Sequence, residues 1–151
     1  MVDRFERFSL AISEISRYWH KIAGDEMQRY GLKGPHATYL VTISRYEDGL
    51  TSSQLCELCG KDKSDVSRMM SIMEQKGLVQ KESSSQSGYR GRFVLTEAGA
   101  EAAQHVCRRA SLAVELAGKN LTAESRAVFY DVLEQIAGNL KELSKKGLPQ
   151  E

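Results

Sequence analysis

The chain is poor in the residues that would announce an easy answer. It has two prolines and three cysteines among 151 residues. Three thiols in a cytoplasmic protein are more simply reduced than bridged, so a disulfide scaffold is not expected. No run is long and apolar enough to span a membrane, and the opening MVDRFERF lacks the apolar core of a signal peptide, so a cytoplasmic location is expected. No Ser-His-Asp set, paired carboxylates or phosphate-binding glycine loop is visible, which argues against an enzyme and gives no reason to expect a cofactor. Net charge is only +1, so the overall balance does not point to nucleic acid. A composition of 41% hydrophobic and 27% charged residues is that of an ordinary globular protein, and the length suits one domain.

The informative stretch runs from Thr51 to Leu95. Thr51 and Gln54 have the spacing of a capping box opening a short helix, in which Leu55, Cys56, Leu58 and Cys59 supply a buried face and Gly60 closes the helix. Asp62 is the N-cap of a second helix. On its 3.6-residue period Val66, Met69, Met70 and Met73 fall on one side, and Ser64, Ser67, Arg68 and Ser71 fall on the other. Small hydroxyls around one long cation let a helix backbone approach a partner closely while the cation reaches out. Major-groove DNA asks for this combination, with hydroxyls and helix N-terminal amides on phosphates and an arginine on a guanine edge or a phosphate.

Leu78 to Glu82 and Gly91 to Leu95 can pair as strands across the loop SSSQSGYR, with Leu50 and Thr51 available as a short third strand. Arg90 and Arg92 are two apart and therefore share a face of the hairpin. Helix, turn, helix and basic hairpin in that order make a winged helix-turn-helix. The local charge agrees: Lys61, Lys63, Arg68, Lys76, Lys81, Arg90 and Arg92 face only Asp62, Asp65, Glu74 and Glu82.

The segment LTSSQLCELCGKDKSDVSRMMSIMEQKGLVQ, followed by a basic hairpin and LTEAG, resembles the MarR family of winged-helix regulators. The chain departs from the family's usual pattern at Asp65, often a threonine, and at the wing tip, where Ser87, Gly88, Tyr89 and Arg90 replace a common Asp-Arg-Arg. Asp65 near a phosphate would be repulsive, so it either caps the helix or pairs with Arg68. The resemblance implies a regulator that represses nearby genes and is released by a small molecule, commonly an aromatic acid or phenolic compound. It also implies a DNA-contacting set of Lys63, Ser64, Asp65, Ser67, Arg68 and Ser71 with Arg90 and Arg92 from the wing.

The flanks are helical. From about Asp3 to Tyr30, Phe5, Phe8, Ile12, Ile15, Trp19 and Ile22 recur in a heptad-like seam. Pro35 sits in the first turn of a helix over His36 to Tyr46, ended by Asp48-Gly49. Thr96 caps a helix to about Ala117 with Ala98, Ala102, Val106, Ala110, Ala113 and Ala117 on one side, and Thr122 caps a last helix striped by Val128, Val132, Ile136, Leu140 and Leu143. Three long amphipathic helices cannot all be buried in one small monomer. The first and last are therefore expected to pack against a symmetry mate, making a homodimer that presents two recognition helices to an inverted repeat of double-stranded DNA.

The expected architecture is mainly α. Residues 35–95 form the winged helix, and residues 1–34 and 96–151 form a helical dimerisation part of one domain. Cys56 and Cys59 make a C-x-x-C that could serve a thiol or zinc sensor, but both fall on the buried side of their helix and no second ligand pair follows. A thiol- or zinc-responsive sensor, and a winged helix used for protein contact, are the two alternative readings. His20, His36 and His105 are scattered, and of these His36 and His105 would have to meet a carboxylate to hold zinc. An effector pocket is expected where the first, second and fifth helices approach the winged helix, with Trp19, His36 and Tyr39 as the residues to test.

Overall fold

The computed structural model describes residues 3–83 and 91–150. In chain order its elements are α1 (Arg4–Met27) with a single 3-10 turn after it, α2 (Pro35–Ile43), α3 (Ser52–Cys59), α4 (Lys63–Gln75), β1 (Val79–Glu82), β2 (Arg92–Leu95), α5 (Glu97–Ala117) and α6 (Ala123–Lys146). The two strands pair antiparallel, Val79 with Leu95 and Glu82 with Arg92. Leu50 adds one isolated bridge to Phe93, so the short third strand expected over Leu50 and Thr51 reduces to a single bridge beside a two-stranded sheet.

Local chemistry sets the boundaries. Thr51 and Gln54 close the expected capping box on α3, and Gly60 ends that helix in the left-handed region at φ 61°. Asp62 caps α4 by accepting from the Asp65 amide at 2.7 Å. Helix α2 stops at Ile43, before the expected Tyr46, because the Tyr46 amide turns back to the Ile43 carbonyl and the Gly49 amide to that of Tyr46. At Gly49, φ is 74° and an added Cβ would lie 2.6 Å from the Val94 side chain, so both backbone and space call for glycine.

The chain divides into two compact units, Met1–Ser111 and Leu112–Glu151. The core of the first unit gathers Tyr39, Leu40 and Ile43 from α2, Leu55 from α3, and Val66, Met69, Met70 and Met73 from α4. Leu50, Leu78, Val79 and Phe93 close it at the hairpin. Met27, Leu32, Ala102, Ala103 and Val106 belong to the same cluster, so the winged-helix core extends beyond residues 35–95. Each fully buried Met or Leu here contributes about 1.5–3 kcal/mol of transfer free energy.

Two expected faces are corrected. On α3, Leu55 is buried and Cys56 and Cys59 are half-buried, but Leu58 is exposed. Steps of about 100° per residue put both cysteines on one side of Leu55 and Leu58 on the other, and so short a helix turns only one of those sides inward. On α5 the buried residues are Gly99, Ala102, Ala103 and Val106, while Ala98 and Ala117 are exposed. The rotation follows from the helix start, where the Thr96 hydroxyl accepts from the Gly99 amide and the Thr96 amide donates to the Leu78 carbonyl. In α1 the only buried residue is Met27, and Phe5, Phe8, Ile12, Ile15, Trp19 and Ile22 are all exposed. In α6 no residue is buried. No described helix is long and apolar enough to cross a membrane.

Candidate nucleic-acid interface

Helix α4 splits as its period requires. Val66, Met69, Met70 and Met73 are buried, and Lys63, Ser64, Ser67, Arg68 and Ser71 are exposed on the other side. Buried thioethers fix one face of the helix against the core, so the opposite face is held rigid without any polar residue being spent on packing. Arg68 stands out from that face with 64% of its side chain accessible.

Asp65 is tied in two directions. Its Oδ1 accepts from Arg68 Nη2 at 2.8 Å, and its Oδ2 accepts from the Tyr39 hydroxyl at 2.6 Å. The Tyr39 hydrogen bond is the largest influence holding the Asp65 carboxyl below the ordinary carboxylate range; burial opposes it, and the Arg68 guanidinium adds to the lowering. Tyr39 is 1% exposed, and burial followed by the bond to Asp65 pushes its phenol well above the usual value. Asp65 therefore pairs with Arg68, one of the two roles open to it from sequence, while Asp62 is the cap. Nothing in the sequence signalled that Tyr39, 26 positions earlier and on another helix, would supply the second donor.

In the hairpin, Arg92 is half-buried and donates from Nη1 to the Gly49 carbonyl at 3.1 Å, so it ties the base of the wing to the turn before α3. Arg90 lies outside the described residues. Lys81 reaches over the Phe93 ring with its ammonium 5.5 Å from the centroid, a cation-π contact that the sequence reading did not anticipate.

The three residues considered for an effector have different surroundings. Trp19 is exposed on α1. His36 is buried, its Nδ1 engaged by the Lys33 backbone and its Nε2 without a partner, and burial lowers its pKa. Tyr39 spends its hydroxyl on Asp65. A cleft of about 580 Å³ lies between the end of α2, β2 and α5, lined by Ile43, Tyr46, Val94, Ala103, Cys107 and Arg108 among others.

The thiols and imidazoles are accounted for separately. Cys59 contacts the Thr42 hydroxyl at 3.7 Å, and burial pushes its thiol up, which makes it less reactive. Cys107 is exposed on α5. His105 meets Glu26 at 3.4 Å and receives Arg29 at 2.8 Å, and Arg109 holds the same Glu26 at 2.8 Å, so that carboxylate serves an ion-pair cluster. His20 bonds the Ser16 carbonyl one turn back on α1. Among the described residues no three His, Cys, Asp or Glu side chains are grouped to hold a metal ion.

Residues 30–88, from the turn before α2 past β1, match the model of the MarR family. Over those residues the chain is similar to the MarR family. Three solved structures share its fold over nearly its whole length. A MarR family transcriptional regulator from Listeria monocytogenes complexed with a 26mer DNA is 22% identical, covers 100% of this chain and 99% of its own, and has a TM-score of 0.82. A MarR transcriptional regulator from Methanosarcina mazei Go1 is 22% identical with a TM-score of 0.81, over 95% of this chain and 94% of its own. MepR of S. aureus, in complex with DNA, is 17% identical with a TM-score of 0.80, over 88% of this chain and 97% of its own. The comparison with curated proteins finds no match. The MarR family match covers α2, α3, α4 and β1, the elements that carry Tyr39, Asp65 and Arg68.

Proposed function

We propose that this chain is a DNA-binding transcriptional regulator of the MarR type that acts as a homodimer on an inverted-repeat operator. One observation carries the reading. Exposed Arg68 stands among Ser64, Ser67 and Ser71 on a capped helix whose opposite face is wholly core. A helix with that division can enter the major groove with its hydroxyls near phosphates and its guanidinium at a base edge or a phosphate. The reading is supported by two solved structures of the same fold that are DNA complexes. Dimerisation is supported by the unburied apolar stripes of α1 and α6, which include Ile12, Ile15, Val132 and Leu140. Repression, relieved by a small aromatic or phenolic effector, completes the proposal. The effector would act through its preference for one spacing of the two recognition helices.

Fluorescence anisotropy on DNA from upstream of the chain's own gene, across a salt series, tests the DNA reading. Affinity should fall steeply with salt, and Arg68→Ala should cost about 1–3 kcal/mol if its contact is bidentate. Salt-insensitive behaviour with no loss in Arg68→Ala would turn the assignment toward a protein-contact module.

A further inference from the structure

Arg68 is a long, exposed cation, and such a side chain samples many rotamers unless something holds it. On this helix something does. Asp65 sits one turn before it, and the two carboxylate oxygens are divided between two donors: Oδ1 takes Arg68 Nη2 at 2.8 Å and Oδ2 takes the Tyr39 hydroxyl at 2.6 Å. Asp65 alone would be a weak anchor, since a surface carboxylate is itself free to rotate. Tyr39 removes that freedom, because its ring is 1% exposed in the interior of α2 and cannot follow a moving partner. The result is a chain of two charge-assisted hydrogen bonds from the buried core to an exposed guanidinium.

Only one of the five N–H donors of Arg68 is engaged by Asp65. The others remain to meet a base edge or a phosphate, now from a fixed starting position. The same arrangement offsets the charge of Asp65, which would otherwise repel a nearby phosphate. Pre-placing a side chain lowers the ordering cost of the correct contact, and it affects base reading more than phosphate attraction, since a guanine edge demands placement while a phosphate demands mainly charge.

We propose that Tyr39 is a positioning residue for sequence discrimination, acting through Asp65 to set the placement of Arg68. The inference rests on the DNA reading above and extends it to a residue that touches no DNA. The test uses a duplex enriched from a random-sequence library by the full-length wild-type protein, with a scrambled duplex as reference. The readout is the ratio of the two affinities. Tyr39→Phe keeps the ring and deletes the hydroxyl, and it should lower that ratio about fivefold. Asp65→Asn keeps the shape and weakens the hold on Arg68, and it should lower the ratio by a similar factor.

The deciding comparison is a double-mutant cycle: Tyr39→Phe introduced into Arg68→Ala should change the ratio no further, because its route to DNA is gone. An equal effect in both backgrounds, or an unchanged ratio in Tyr39→Phe and Asp65→Asn beside a loss in Arg68→Ala, overturns the positioning role and leaves the DNA reading standing. No loss in Arg68→Ala, or no enriched duplex at all, overturns both. Should Tyr39→Phe fail to give a cooperative melt, Asp65→Asn and its own cycle with Arg68→Ala carry the test.

Discussion

Helices α4 and α6 carry the same kind of apolar stripe and meet opposite fates. In α4, over 13 residues, Val66, Met69, Met70 and Met73 are all buried by α2, α3, the hairpin and α5. In α6, over 24 residues, none is buried, and Val128, Val132, Leu140 and Leu143 stand exposed at regular helical spacing. Periodicity therefore reports that a face needs covering without saying what covers it. For α4 the cover is the chain itself. For α6 a stripe of that length is far more apolar surface than a soluble monomer ordinarily leaves open, and a second copy of the chain is the cover we propose.

Paired substitutions sharpen that contrast most strongly. Met73→Ala should cost about 2–5 kcal/mol, since the side chain is wholly enclosed and the cavity relaxes only in part. Because its cover is intramolecular, the loss should be the same at every protein concentration. Leu140→Ala should behave differently: its penalty should grow with protein concentration, following the population of dimer. Urea melts over a hundredfold range of concentration, read beside sedimentation velocity, check both. A concentration-independent Leu140→Ala penalty would mean that α6 is not covered by a second copy.

The same contrast explains how far the sequence could be read. The elements of the winged helix were legible because their signals are local: the Thr51–Gln54 box, Gly60 in the left-handed region, the Asp62 cap and the division of α4 all lie within one turn of the residues they fix. What the sequence hid is contact between distant segments. The hydroxyl of Tyr39 on Asp65, the hold of Arg92 on Gly49 and the cluster of Glu26 with His105 and Arg109 join positions 26, 43 and 79 or more residues apart. A polar side chain advertises a hydrogen bond but not its partner. The exposed Leu58 and Ala98 are the opposite case, where a helix only a few turns long, or held from one end, was turned by contacts that no spacing rule contains.

Gly99→Ala should produce the next effect in size. An added Cβ would fall on the carbonyl of Leu78, which is backbone and cannot swing aside. The strain of moving it, about 1–3 kcal/mol, exceeds the helix-propensity gain of alanine over glycine, about 1 kcal/mol. A fall in the urea midpoint relative to wild type measures the difference, and Gly118→Ala, with no contact closer than 3.3 Å, serves as the comparison outside the first unit. A stabilised Gly99→Ala would show that α5 has freedom to move off Leu78, and that the buried core of the first unit is looser than the fate of α4 implies.

The smallest effect expected is a pH dependence confined to that core. His36 is buried on α2 with Nε2 unpartnered, and burial lowers its pKa from the ordinary 6.5, opposed by the Lys33 backbone bond and the charge of Asp65. A base whose folded pKa is depressed binds its proton first in the unfolded chain. Its contribution to stability is complete above pH 6.5 and is lost as pH falls from there through the lowered folded value. Melts from about pH 8 to about pH 5 should show that decline, and His36→Gln, which cannot titrate, should flatten it. A decline that survives unchanged in His36→Gln would place the proton-linked step at another group and contradict the assignment.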